Sequence, residues 1–223
     1  LRLVARRTWR FFTTFVVAQD NYLPPDNFQE DPQPVIAHRT SPTNFGLYLL
    51  SVVSARDFGW IGLSEMMRRL EATMETLHKL PRYHGHFYNW YETERLEVLS
   101  PRYISTVDSG NLAGHLFALA QACKDAREQS ILRPTIVAGM RDAVLLLRLA
   151  INNIGPELRT QAVSINELRK GTEQFSDFLL TTNAVSPAYA FWEKMVERSE
   201  NLFDLAQAFS VEVKSPDNEV LTW

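Results

Sequence analysis

Between Ser41 and Phe58 the chain spells a helix with almost no polar side, and that limits the fold more than any other feature. Ser41-Pro42-Thr43-Asn44 is a strong start signal. A serine hydroxyl can accept from the first free amides, and proline's fixed φ suits the first helical position. From Phe45 onward, Leu47, Tyr48, Leu49, Leu50, Val52 and Val53 spread around the whole helix surface. A helix apolar all round must be enclosed by other elements. This one needs neighbours on every side.

The flanking segments offer those neighbours. Residues 1–18 place Leu1, Val4, Phe11, Phe12, Phe15 and Val16 at three- and four-residue spacings, with Arg2, Arg6, Arg7 and Arg10 between them. That spacing predicts an amphipathic helix with a basic outer face. Ser64 is expected to cap a second amphipathic helix over 65–80, with Met66, Met67, Leu70, Met74, Leu77 and Leu80 on its apolar stripe. Residues 105–111 form another start, with Asp108 or Ser109 as the expected cap, and the helix to about Ala126 is again apolar and rich in small residues. Beyond Arg127 three amphipathic patterns follow, over 134–152, 164–180 and 187–209, the last opened by Ser186-Pro187. Leu145-Leu146-Leu147 and Leu202-Phe203-Leu205 mark their apolar faces. Enclosed helices alternating with amphipathic ones predict an all-α fold. The arrangement expected is part of an α/α toroid, about half of a ring of paired helices, with additional amphipathic helices.

Composition excludes several functions. Lys and Arg number 23 against 26 Asp and Glu, a net charge of −3, so no basic field attracts nucleic acid or anionic lipid. Cys123 is the only cysteine, which excludes an internal disulfide and a cysteine-rich zinc module and fits a reducing compartment. No apolar run of about 18 residues is present to span a bilayer. The start at Leu1 lacks a signal peptide's apolar core and reads as the middle of a longer polypeptide. His38, His84, His86 and His115 follow no metal-ligand spacing; His84 and His86 would share a strand face, but no third ligand follows. Ser41, Ser105 and Ser109 lack the context of a nucleophile elbow, and no glycine-rich phosphate loop occurs.

The connecting loops carry the unusual chemistry. Residues 20–42 hold Pro24, Pro25, Pro32, Pro34 and Pro42, which forbid a continuous helix, and a loop this long inside a compact domain is often functional. In a toroid the loops entering the inner helices gather at one end. Here they carry amides, hydroxyls, carboxylates and aromatics, the mixture that sugars require, because hydroxyls need polar partners while ring C–H faces stack on Trp and Tyr. The candidate ligand-binding residues are Asp26, Arg39, Thr43, Asn44, Asn89, Trp90, Tyr91, Asp108, Ser109 and Asn111. Each has a structural alternative. Asp108 also suits a helix cap, Arg39 a brace for Asp26, Glu30 or Asp108, and Asn89-Trp90-Tyr91 aromatic packing. Asp26 with Asn27, Gln29 and Glu30 suits a solvated loop as well as a cleft rim.

These loops also carry a resemblance. Leu23-Pro24-Pro25-Asp26-Asn27-Phe28-Gln29-Glu30, Ala37 through Asn44, Gly46 through Ser51, Ala55 through Gly62, Gly85-His86-Phe87-Tyr88-Asn89-Trp90-Tyr91 and Ser105 through His115 resemble the central, glycoamylase-like part of cyclic β-1,2-glucan synthases. The match runs in order, at the right spacing, from about Thr8 to about Cys123. The resemblance implies a very large bacterial inner-membrane enzyme, with this segment on the cytoplasmic side. One part extends a β-1,2-glucan from UDP-glucose, a phosphorylase-like part trims it, and the central α/α barrel closes the chain by transglycosylation. Residues 1–126 then belong to the N-terminal part of the barrel domain and 127–223 to a helical extension or insertion of it. The implied partners are β-1,2-glucan and other domains of the same polypeptide, with no cofactor in this segment. Retaining transfer needs two carboxylic acids about 5 Å apart. The family's acids lie further along the barrel, so no catalytic residue is carried over and the segment alone is expected to be inactive. The alternatives are part of a β-1,2-glucan hydrolase or phosphorylase, or a non-catalytic helical interaction module, a role that residues 127–223 suit best.

Overall fold

The computed structural model describes residues 1–154, 162–181 and 189–213. Among these the fold is all-α, with seven α-helices and a few two-residue strands. The chain divides into two compact units, the first ending at Ile131 and the second starting at Leu132. Arg127, where the sequence changes texture, lies in the last turn of the first unit's final helix.

The first unit contains α1 (Arg2–Phe15), α2 (Pro42–Asp57), α3 (Leu63–Lys79) and α4 (Thr106–Glu128). The Ser41 hydroxyl accepts from the Asn44 amide at 3.3 Å with Pro42 in the first turn, so α2 starts where the sequence places it. Three helices, α1, α3 and α4, pack on α2. Phe45, Leu49, Val52 and Ala55 are fully buried there, while Leu47 remains half exposed. The chain turns back after α2, and Arg69 of α3 reaches the Tyr48 hydroxyl at 3.5 Å, so these two helices run antiparallel. Gly62, not Ser64, occupies the N-cap of α3, and Met67 lies outside its buried stripe. Thr73 and Thr76 on α3 donate to the carbonyls of Tyr22 (2.8 Å) and Asn21 (2.7 Å), tying the helix to the proline-rich loop.

Three contacts at successive levels show that α2 and α4 run parallel, side by side. Thr43 meets Asp108 near the N-termini, Gly46 meets His115 further along, and Arg56 donates to Gln129 at 3.0 Å near the C-termini. At Gly46 the approach is very close: a β-carbon there would fall 2.1 Å from His115 Nδ1. The expectation that α4 is enclosed is not met. Leu112, Leu119 and Ala126 are buried, but Phe117 is 80% exposed, and the space over Gly110 and Gly114 is open. Small apolar residues made α4 look like an inner helix; only one stripe of it has a neighbour among the described residues.

Short strands shape the loops. β1 (Phe28–Gln29) pairs with β2 (Val35–Ile36), β3 (Arg39–Thr40) with β6 (Tyr91–Glu92), and β4 (Arg82–Tyr83) with β5 (His86–Phe87), all antiparallel. The β4–β5 turn is His84-Gly85, with φ of 47° and 86°. Positive φ at both central positions is the tight-hairpin geometry. His84 therefore sits in a turn and shares no strand face with His86.

The second unit contains α5 (Pro134–Asn153), α6 (Ile165–Leu180) and α7 (Tyr189–Glu212), with α6 packed on both others. Ser164 and Glu167 form a reciprocal capping box that starts α6. Val137, Leu147, Ile151, Leu168, Phe175, Leu179, Trp192 and Phe209 make its core, whereas Leu145 and Phe203 face outward. The Ser186-Pro187 start expected for α7 lies outside the described residues.

Two glycine substitutions test the α2–α4 contact. Gly46→Ala is expected to destabilise the chain by about 1–3 kcal/mol, because the His115 ring must move aside. Gly110→Ala, in an open helix interior, is expected to stabilise it by about 0.5–1 kcal/mol. Urea unfolding of both variants beside the unsubstituted chain measures the contrast.

Candidate functional site

The N-termini of α2 and α4 come together beneath the loops, and a carboxylate sits between them. Ser105 is the cap of α4: its hydroxyl accepts from the Asp108 amide at 3.1 Å. Asp108 and Ser109, the expected caps, lie inside the first turn instead. The Asp108 side chain is thus left for longer-range partners. Thr43, in the first turn of α2, donates its hydroxyl to Asp108 Oδ1 at 2.7 Å and accepts from Asn111 Nδ2 at 3.2 Å. In the amide orientation that satisfies its surroundings, Asn89 Nδ2 donates to Asp108 Oδ2 at 2.9 Å. Its Oδ1 then accepts from Trp90 Nε1 at 2.8 Å and from the Tyr103 hydroxyl at 2.7 Å. Three segments distant in sequence meet at one carboxyl group.

Burial pushes the Asp108 carboxyl upward, but the Ser105 and Thr43 hydroxyls and nearby amides outweigh it and hold the group below the ordinary carboxylate range. Partial positive charge at two converging helix N-termini favours the same ionised form. Asp108 at neutral pH is an acceptor with both oxygens engaged. It has no proton to give.

A second carboxylate, Asp26, is held at the same end of α2. Arg39 donates to Asp26 Oδ2 from Nε (3.2 Å) and from a terminal nitrogen (2.9 Å), and Asn27 adds a bond at 3.1 Å. Asn44, next to Thr43, reaches Asp26 Oδ1 at 3.4 Å, so neighbouring residues of α2 serve the two acids. The Arg39 guanidinium also lies over the Trp90 ring at 4.8 Å. Of the structural alternatives, bracing of Asp26 describes this geometry of Arg39. The guanidinium is half exposed and remains open to further acceptors.

The fold therefore brings together Asp26, Arg39, Thr43, Asn44, Asn89, Trp90, Asp108 and Asn111. Two candidates fall outside. Ser109 spends its hydroxyl on the Ser105 carbonyl at 2.8 Å, a local helix bond. Tyr91 has no exposed surface; it packs against Phe45 and Phe87, and its hydroxyl donates to the Pro81 carbonyl and accepts from the Tyr88 amide, both at 2.8 Å. Burial pushes that phenol up to about 12. A ring enclosed in this way offers no face to a ligand. Trp90 donates from Nε1 to Asn89, and Arg39 covers one face of its ring. Tyr103 joins the network through Asn89, a tertiary contact that no local sequence pattern signals.

Among the described residues, no three of His, Cys, Asp and Glu gather to hold a metal ion, and no helix is long and apolar enough to cross a membrane. No protein-family model matches the chain. The sequence is, however, similar to a segment of a glucan synthase of far greater length. Over 175 residues, 78% of this chain, it is 50% identical to the cyclic beta-(1,2)-glucan synthase NdvB of Rhizobium meliloti (strain 1021), of which it spans only 6%.

The Asp108 network generates a pH-dependent prediction. A carboxyl whose folded pKa is depressed contributes stability above its unfolded value of 3.8 and loses it as pH falls through the folded value. Asp108→Asn should therefore cost about 1–2 kcal/mol at neutral pH, and the difference should vanish in acid. Thr43→Val should cost about 1–3 kcal/mol at neutral pH, because it removes a donor to a charged acceptor. Urea unfolding across the pH range decides both.

Proposed function

We propose that this chain is a segment of a cyclic β-(1,2)-glucan synthase, and that its first unit belongs to the α/α ring that holds the glucan while the chain is cyclised. The identity to NdvB supports the first clause. The second is supported by parallel α2 and α4 with α3 running back between them in sequence, the repeat from which such rings are built. One observation carries the assignment to glucan. The Asp108–Thr43–Asn89 network crosses the N-terminal ends of two parallel helices, and donors and acceptors suited to sugar hydroxyls surround it.

The role proposed is holding, not bond-breaking. Asp108 is ionised with a donor on each oxygen, Asp26 is held by Arg39, Asn27 and Asn44, and retaining chemistry needs an acid that carries a proton beside a nucleophile. The catalytic carboxylates of this reading lie elsewhere in the polypeptide, UDP-glucose is used in its glycosyltransferase part, and this segment lies on the cytoplasmic side of the membrane. In the full-length synthase, Asp108→Asn is expected to lower cyclic product about tenfold or more while linear elongation continues. Retention of both activities in a folded variant would reduce Asp108 to a structural brace.

The open face of α4 favours a companion role, in which Val107, Phe117 and the space over Gly110 and Gly114 receive another part of the same polypeptide. Phe117→Asp should leave the isolated chain's stability within about 0.5 kcal/mol, because its ring is exposed there. The same substitution should abolish glucan synthesis by the full-length protein. Measured destabilisation of the isolated chain would mean that the face is already covered.

A further inference from the structure

One buried carboxylate serves no part of the site described above. Asp20 ends a single 3-10 turn, Ala18–Asp20, and is only 5% exposed. It accepts a short hydrogen bond from the Thr93 hydroxyl, and its Oδ1 lies 2.7 Å from His38 Nδ1. Thr93 is itself fully buried; its amide donates to the His38 carbonyl at 3.1 Å. Asn21, in left-handed conformation just after Asp20, donates to the carbonyls of Thr93 and Glu94, both at 2.8 Å. The turn after α1, the residue leading into β3 and the hairpin beyond β6 are thus stitched together around one acid.

Those strands carry the candidate site. β3 begins with Arg39, directly after His38, and pairs through Arg39↔Glu92 and Thr40↔Tyr91 with β6, which follows Trp90. The charged groups facing His38 are Asp20 from the 3-10 turn and Glu92 and Glu94 from the hairpin, all acidic. Arg39, next along the chain, turns its guanidinium to Asp26 instead. Three acids around a partly exposed imidazole favour its protonated form.

We propose that Asp20, His38 and Thr93 form a pH-sensitive clamp on the loops of the candidate site, tight when His38 is protonated and looser when it is neutral. The proton leaves to solvent. The neutral tautomer retains the Nδ1–H bond to Asp20 but loses the charge that strengthens it. Arg39 and Trp90 are the positions through which the clamp acts. Its existence is independent of what the site binds; its effect on glucan holding rests on the function proposed above.

The sign follows from His38. The hydrogen bond to Asp20 raises its pKa above 6.5 against the opposing effect of burial, and the charges of Asp20, Glu94 and Glu92 add to the rise. Its contribution is therefore complete below 6.5 and lost as pH rises through the higher, folded value. The test uses the 223-residue chain without ligand, following the His38 imidazole by NMR titration and the Thr93 amide by hydrogen exchange. The expected His38 midpoint is above 6.5. Thr93 protection, corrected for intrinsic exchange, should fall severalfold across that midpoint, up to about tenfold per unit of pKa elevation, while Val52 in α2 keeps its own. In His38→Asn, Thr93 protection should be low and independent of pH. A His38 midpoint at or below 6.5, or an undiminished pH-dependent fall in His38→Asn, overturns the clamp. Neither readout involves glucan, so failure of the clamp and failure of the glucan reading are separable.

Discussion

The loop end of the first unit depends on how closely α2 approaches α4. Gly46 lets the His115 ring sit where any side chain would stand. That contact sets the spacing of two parallel helices along their length. Near the N-termini it leaves just the distance that a Thr43 hydroxyl spans to reach Asp108. A wider spacing would break the hydroxyl–carboxylate bond first, and with it the link from α2 to Asn89, Trp90 and Tyr103.

The network at that end is a satisfied one. Each Asp108 oxygen has a donor, Asn89 uses both ends of its amide, and Thr43 both donates and accepts. In a partly buried place, closed polar networks hold one arrangement firmly, because an unmatched group there is costly. This rigidity suits a surface that positions a flexible polysaccharide. The outer members, Asn111 and the half-exposed Arg39, are those with capacity left for ligand hydroxyls.

Local chemistry was legible wherever a few adjacent residues decide the outcome. Ser41-Pro42 starts α2, Ser164 and Glu167 start α6, and the apolar run of α2 is buried along most of its surface. Errors arose where several residues compete for one role. Ser105, Asp108 and Ser109 are all chemically able to cap α4, and the choice went to Ser105 because Thr43 and Asn89 engage the Asp108 carboxylate. Similarly, Tyr91 and Trp90 look alike as candidate platforms, yet Phe45 and Phe87 enclose Tyr91 completely. His84 left its strand because His84-Gly85 adopts the tight turn.

By itself the sequence determined that this chain is helical, where most of its helices begin, and which loops hold the polar and aromatic groups. Those properties follow from hydrophobic periodicity and capping, interactions between residues a few positions apart. Only the tertiary structure decided that Asp108 is shared by Thr43 and Asn89, that Asp26 belongs to Arg39, and that Asp20 joins His38 to Thr93. Each pairing spans 13 to 73 residues and is selected by helix spacing and strand register. No local pattern encodes that geometry, because every one of these acids had several chemically equivalent partners within reach along the chain.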